Sequence, residues 1–184
     1  MKTLVIRPED NEQGNIEELI GNLHAQSLKL DKSLKLDIVV VNDHSTDRTS
    51  QICEQLGVST VDLPCNLGIG GAVQTGYLYA YKYGYDFAIQ VDGDGQHDPA
   101  NIGDILKPLL KGQADMSIGS RYITKQGFQS SAMRRWGIRY FSKLIELLVK
   151  QKVTDPTSGF RACNAKVIEL FSRYYPADYP EPES

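Results

Sequence analysis

The chemically most suggestive stretch of the chain is Ile89-Gln-Val-Asp-Gly-Asp-Gly-Gln-His-Asp-Pro99, where an apolar run ends in two aspartates separated by a single glycine. Alternate residues of an extended chain point to the same side, so Asp92 and Asp94 can face one point if the strand geometry persists. Neighbouring carboxylates repel unless a cation lies between or near them. A hard divalent ion, Mg²⁺ or Mn²⁺, sharing oxygens with a diphosphate is the natural partner of such a pair. Gly93 and Gly95 let the backbone turn and let a bulky ligand approach. Other readings compete. A calcium loop is excluded, because its required glycine falls on His97 and its terminal glutamate on Gly103. A plain Asp-Gly turn and a carboxylate pair for acid–base hydrolysis both stay open on these residues alone.

Further segments have weaker chemical content. Asn66-Leu-Gly-Ile-Gly-Gly-Ala72 is rich in small residues, with Gly68 and Gly70 placed to expose amides to a ligand at a helix start or to let a helix pack closely. It is not the dinucleotide fingerprint, since Val73 holds the third glycine position, and it lacks a phosphate-loop lysine. Asp43, in Asn42-Asp-His-Ser-Thr-Asp47, suits helix capping or ligand contact equally. His44 reads as an exposed loop histidine and His97 as a turn residue. Gly119-Ser-Arg121 offers an arginine able to hold an anionic leaving group through paired hydrogen bonds. Arg134 and Arg135 either do the same or form the solvated face of a helix. Asp155-Pro-Thr-Ser-Gly-Phe-Arg161 reads either as a compact turn with an Asx-type bond or as a carboxylate and arginine that orient an acceptor.

The elements that must position these groups alternate in type. Leu4–Ile6, Asp37–Val41, Val58–Val61, Phe87–Val91 and Met116–Ile118 read as short buried strands. Helical spacing covers Asn15–Ala25, Thr46–Leu56, Ile69–Tyr83 and Asn101–Leu110, with Asp43, Ser45 and Asp47 as caps near the second and Pro99 in a first turn. A long amphipathic helix is expected from Ser131 to Lys150, with Met133, Trp136, Tyr140, Leu144 and Leu148 on one face and Arg134, Arg135, Arg139 and Lys143 interleaved. This pattern predicts an α/β fold, a mostly parallel central sheet with helices on both faces. The polar segments follow the second, third, fourth and fifth strands, so one rim at the strand carboxyl ends should hold the site. Residues 1–175 are expected to form one domain, followed by a polar, proline-interrupted tail over 176–184.

Bulk properties narrow the function classes. A chain of 184 residues with 41% hydrophobic and 23% charged residues is an ordinary globular composition. The formal charge of −3 argues against nucleic acid as a partner. Cys53, Cys65 and Cys163 are scattered, without metal-ligand spacing, and fit reduced thiols in a cytoplasmic protein. The N-terminus is not a secretory signal, and no run approaches the ~20 apolar residues of a membrane span.

Taken in order, Pro8…Asn11-Glu12, Val41-Asn-Asp-His-Ser-Thr-Asp47, Asn66–Ala72, Asp92-Gly-Asp94-Gly-Gln96-His97, Gly119-Ser-Arg121 and Asp155…Ser158-Gly-Phe-Arg161 resemble the inverting family 2 glycosyltransferases of the GT-A fold. The subgroup most similar is that of dolichol-phosphate mannose synthase and bacterial polyprenyl-phosphate glycosyltransferases. The resemblance implies a metal-dependent transfer of sugar from a nucleoside-diphosphate sugar, with a uridine donor expected, to a polyprenyl-phosphate or glycan acceptor in cell-envelope polysaccharide synthesis. It implies that Pro8, Asn11, Glu12 and Asp43, with Gly68 and Gly70, line the nucleotide pocket. Asp92, Asp94 and Gln96 would hold Mg²⁺ or Mn²⁺ and the diphosphate, and Asp94 and Arg121 would assist departure of the leaving group. Arg121, Arg134, Arg135 and Arg161 would face donor or acceptor phosphates, and Asp155 would serve the acceptor. A lipid acceptor implies the cytoplasmic face of the membrane, with peripheral contact through the arginines beside Trp136 and Tyr140. Asp10 stands where the family has an aromatic residue, which adds charge beside the base pocket. The chain also stops sooner than such domains do, giving the expectation of a shortened catalytic core. A non-catalytic nucleotide-sugar module and a nucleotidyltransferase are the alternative functions.

Overall fold

A computed structural model describes residues 1–30, 33–91, 99–120, 146–147, 155 and 158–175. The first strand, β1 (Lys2–Glu9), leads through α1 (Ile16–Ser27) to β2 (Lys35–Asn42), then α2 (Thr49–Gln55) and β3 (Ser59–Asp62). Next come α3 (Gly68–Lys82), β4 (Phe87–Gln90), a 3-10 turn over Pro99–Asn101, α4 (Ile102–Leu110) and β5 (Met116–Ile118). The described chain then closes with β6 (Arg161–Asn164) and α5 (Ala165–Arg173).

The strands form one six-stranded sheet in the order β3-β2-β1-β4-β6-β5. β1 pairs parallel with β2 and β4, and β2 with β3. β6 runs antiparallel to both β4 and β5, so the sheet is mostly parallel, as expected. Chain order runs outward from β1 on one side to β3 and resumes on the other side with β4. The reversal between β1 and β4 is the kind of switch point at which open α/β sheets bind ligands.

The sequence explains both faces. Even positions of β1, Leu4 and Ile6, pack with Val39, Val41 and Ala88 beneath Val73 and Tyr77 of α3 and Ile168 of α5. On the opposite face, Val5, Ile38, Phe87 and Ile89 meet Leu23 of α1 and Ile102, Ile105, Leu106 and Leu109 of α4. Ile16, Ile20, Val40 and Cys53 join α1 and α2 to that same face. Each fully buried Leu or Ile contributes about 1.5–3 kcal/mol. Near-continuous apolar strands are what a sheet covered on both sides requires. α3 lies close because Gly76 sits on Ile6, where an added Cβ would come within 2.1 Å of Ile6 Cγ2.

Several expectations need correction. β1 reaches Lys2 and Glu9, well beyond the apolar core Leu4–Ile6, and β3 begins at Ser59 rather than Val58. α2 starts at Thr49, not Thr46, because Asp47 Oδ1 accepts from the Thr49 amide (2.9 Å) and so ends the preceding loop there. Asp43 and Ser45 do not cap that helix. Arg161 is the first residue of a strand rather than the end of a turn, and the α5 helix that follows it was not anticipated. Of the helix expected over 131–150, Glu146 and Leu147 are described, and both are helical. The expected tail, 176–184, lies outside the described residues. The three cysteines are free thiols, with Cys53 and Cys163 buried and Cys65 exposed. No helix among the described residues is long and apolar enough to cross a membrane.

Candidate functional site

The loops after β1 and β2 are knitted into one unit by side chains bonding to backbone. Asn11 adopts a left-handed conformation (φ 55°), which asparagine tolerates better than most residues. Its amide donates to Ser45 Oγ (3.0 Å), and its Oδ1 accepts from the Thr46 amide (3.0 Å). Glu12 N donates to Thr49 Oγ1 (3.1 Å), Gln13 N to Asp47 Oδ2 (3.1 Å), and Arg48 N to Gln13 Oε1 (3.2 Å). Burial alone would raise the Asp47 carboxyl, but bonds from the Thr49 hydroxyl and from the Thr49 and Gln13 amides hold it below its ordinary value.

Asp43 is the hinge between this unit and α3. It is 4% exposed; its amide donates to Glu9 O (2.8 Å), and its Oδ1 accepts from the Leu67 amide (2.7 Å). The buried carboxylate thus fixes the start of the glycine-rich helix. Gly68 follows with φ 72°, a conformation that L side chains rarely adopt, and its amide donates to Asn66 Oδ1 (3.0 Å). Asn66 Nδ2 in turn donates to Asp10 Oδ2 (3.1 Å), while Asp10 Oδ1 accepts from Asn11 Nδ2 (2.7 Å). Asp10 therefore uses its charge to join the β1 loop to the α3 loop. Gly70 is buried in the first turn of α3. Asn42 Nδ2 donates to Asp62 Oδ1 (2.7 Å), which locks the ends of β2 and β3.

On the other side of the switch point, β4 is wholly buried and delivers Val91, 1% exposed, to the same rim. Asp92, Asp94 and Gln96, expected next in the chain, lie outside the described residues, as do His97, Arg121, Arg134 and Arg135. Among the described residues no group of three or more His, Cys, Asp or Glu side chains gathers to hold a metal. The donor chemistry nevertheless fits a hard cation. The expected ligands are oxygen donors by residue type and follow β4 in the chain, and Asp10, Asn11 and Asp43, on the loops after β1 and β2, bear oxygens as well.

Arg161 faces Gln90 across one ladder and Ile118 across the other, which puts it on this rim. Its Nε donates to Ser158 O (2.7 Å), and Ser158 N donates to Asp155 O (3.4 Å). Asp155 and Ser158 are buried, at 1% and 0% exposure. Gly119 follows β5, with its amide on Phe160 O (2.8 Å) and no room for a side chain against the Phe160 ring. The structure thus brings Pro8, Asn11, Glu12, Asp43, Gly68, Gly70, Asp155 and Arg161 to the loops and strand ends of one rim. His44 is exposed in a left-handed conformation (φ 65°).

Sequence reasoning missed one functional-looking pair. Arg7 and Glu9, alternate residues of β1, form a buried ion pair, 1% and 3% exposed, in which Arg7 Nε donates to Glu9 Oε1. Burial pushes the Glu9 carboxyl up to about 7, although Arg7 pulls it back down. The available signal was their i, i+2 spacing at the end of an apolar strand, which puts opposite charges on one side.

Residues 5–171 match the family described as Glycosyl transferase family 2. An uncharacterised protein of Methanocaldococcus jannaschii is 36% identical over 159 residues, covering 86% of this chain and 63% of that protein. The UDP-N-acetylglucosamine–dolichyl-phosphate N-acetylglucosaminyltransferase of Methanococcus voltae is 29% identical, over 91% of this chain and 71% of the enzyme. Glucosyl-3-phosphoglycerate synthase from Mycobacterium tuberculosis, solved with Mn²⁺, uridine diphosphate and glucosyl-3-phosphoglycerate, superposes with TM-score 0.65. That likeness, at 21% identity, spans 91% of this chain and 57% of the synthase, and shows that the fold is of the GT-A type. The chain thus spans under two thirds of the length of the Methanocaldococcus jannaschii protein and of the synthase.

Proposed function

The chain belongs to glycosyl transferase family 2, and on that premise we propose that it transfers a sugar from a nucleoside-diphosphate sugar to a polyprenyl-phosphate or glycan acceptor, with inversion. The observation that carries this reading is the meeting, at the β1–β4 switch point, of the Asp43–Leu67 hinge, the Asp10–Asn66 bridge and the end of β4. Pro8, Asn11, Glu12 and Asp43 line a pocket for base and ribose. Gly68 and Gly70 leave the α3 backbone approachable beside the diphosphate. Asp92, Asp94 and Gln96 would hold Mg²⁺ or Mn²⁺, which when bound offsets charge on the departing diphosphate. Arg121, with Arg134, Arg135 or Arg161, binds donor and acceptor phosphates.

The acceptor oxygen attacks the anomeric carbon as the bond from that carbon to the diphosphate oxygen breaks. A polyprenyl phosphate attacks as an anion and needs no base. A sugar hydroxyl must lose a proton, and Asp155 is the base assigned to it. The dolichyl-phosphate transferase among the relatives favours a uridine donor and a lipid phosphate acceptor. A lipid acceptor places the reaction at the cytoplasmic face of the membrane, within cell-envelope polysaccharide synthesis.

Calorimetric titration with UDP-sugars, with and without Mn²⁺, followed by an assay of transfer to polyprenyl phosphate in detergent micelles, tests the proposal. Metal-dependent binding with transfer is expected. Asp94→Ala should weaken that binding roughly a hundredfold, equivalent to about 2.7 kcal/mol. Binding without turnover would favour a nucleotide-sugar module, and no response to any diphosphate sugar would overturn the reading.

A further inference from the structure

The β1–β4 ladder has a gap at the place where the strand hands over to the aspartate segment. Val91 N donates to Ile6 O (3.1 Å), one residue beyond the last matched pair, Ile6 with Gln90. In a parallel ladder of evenly spaced bonds, the next one would run from the amide of residue 8 back to the Val91 carbonyl. Residue 8 is proline and has no N–H to give. The Arg7 guanidinium reaches the same oxygen instead, Nη1 to Val91 O at 3.4 Å, while its Nε is held by Glu9. The partner strand shows no such gap on the other side of β1, where pairing with β2 continues through Glu9 and Asn42.

We propose that Arg7, clamped by Glu9, is a positioning residue that replaces the main-chain bond Pro8 cannot make and so fixes the Val91 carbonyl from which Asp92 continues. The role in metal binding rests on the reading that Asp92 is a ligand; the role at Val91 does not. A planar guanidinium has separate nitrogens for the two tasks, whereas a lysine ammonium is a single point donor. Arginine is therefore required here for geometry as well as for charge. Glu9 keeps the fork aimed, and burial of both side chains, at 1% and 3% exposure, shields the pair from water, where the bond is stronger.

Arg7→Lys tests this directly, because it keeps the charge opposite Glu9 and gives up the second prong. Amide hydrogen exchange measured by NMR on the full chain is the readout. The Val91 amide should exchange about tenfold faster in Arg7→Lys, while the Ile89 amide, deeper in the same strand, stays as slow as in the parent. Adding Pro8→Ala restores a main-chain donor opposite Val91 and should return its exchange toward the parent rate, a rescue that lost packing would not show. Arg7→Met/Glu9→Met removes the pair at nearly constant volume, a change that buried ion pairs often tolerate, and should show the same local acceleration. Parent-like exchange at Val91 in Arg7→Lys, or no recovery with Pro8→Ala, overturns the proposal. Mn²⁺-dependent UDP affinity of Arg7→Lys should fall about tenfold, as when partners behind metal ligands are lost. If the parent protein binds no UDP with Mn²⁺, the donor reading falls, while the exchange data still decide the role of Arg7.

Discussion

The two sides of the switch point are built differently. On the β1–β2–β3 side, parallel strands end in loops that bind one another through short side chains: Asn11 on Thr46, Asp47 on Gln13, Asp43 on Leu67. On the β4–β6–β5 side, an antiparallel strand supplies Arg161 from its own start, and its ties around Asp115 and Asn164 sit at the opposite end of the sheet. The first side holds its loop backbone by many small polar contacts. The second relies on strand pairing and on Phe160 filling the space over Gly119. A rigid cradle beside a simpler strand-borne wall suits a protein that must grip one ligand part closely and admit another.

Substitutions can break or sharpen this contrast. Gly76→Val should act most strongly, because its side chain would overlap Ile6 in the contact between α3 and β1. A loss of about 3 kcal/mol is expected in urea unfolding. Asp43→Ala leaves the Leu67 amide without its acceptor and should cost about 2 kcal/mol. If the cradle is one mechanical unit, the same variant loses UDP binding, and retained affinity would separate Asp43 from the pocket.

Glu9→Gln probes the charge buried beneath that cradle. Folding raises the Glu9 carboxyl from 4.5 to about 7, so the native protein holds this proton more tightly than the unfolded chain does. The resulting stability is complete below about pH 4.5 and is lost as pH rises through about 7. Glutamine does not titrate, so the stability of Glu9→Gln relative to the parent should climb between about pH 5 and about pH 8, by about 3 kcal/mol at most. Urea unfolding of both proteins across that range measures it, and a constant difference would contradict the assignment. Asn164→Ala, on the far side, removes the acceptor of the Val167 amide at the start of α5 and should cost only about 1 kcal/mol, with UDP binding unchanged.

Much of this architecture was legible because β1, β2 and β4 are built on apolar runs and α1 and α3 are long enough to show helical spacing. Charged strand residues were not legible: Arg7 and Glu9 read as the end of β1, although each neutralises the other inside it. β6 was hidden by its brevity and its polar ends, Arg161 and Asn164. α5 did carry a signal, an asparagine cap followed by Val167, Ile168, Phe171 and Tyr175 at helical spacing, which the nearby turn residues obscured. Within the site, residue types predicted which segments meet, since each lies at a strand's carboxyl end. They did not predict partners. Asp43 looked like a cap for the next helix and instead serves the one after it, because that choice depends on where β3 returns the chain.

Tyr77, in the middle of α3, is enclosed by Phe171 at 5.1 Å and Tyr175 at 5.7 Å between ring centroids. The helix that opens with the glycine-rich turn is thus upholstered by aromatic rings from the last described stretch. Any shortened version of this protein that stops before residue 171 would strip both rings away and bare the phenol to solvent. A defect in nucleotide binding seen in such a version would then report a slackened helix some distance from the pocket, and would be a poor guide to which residues touch the ligand.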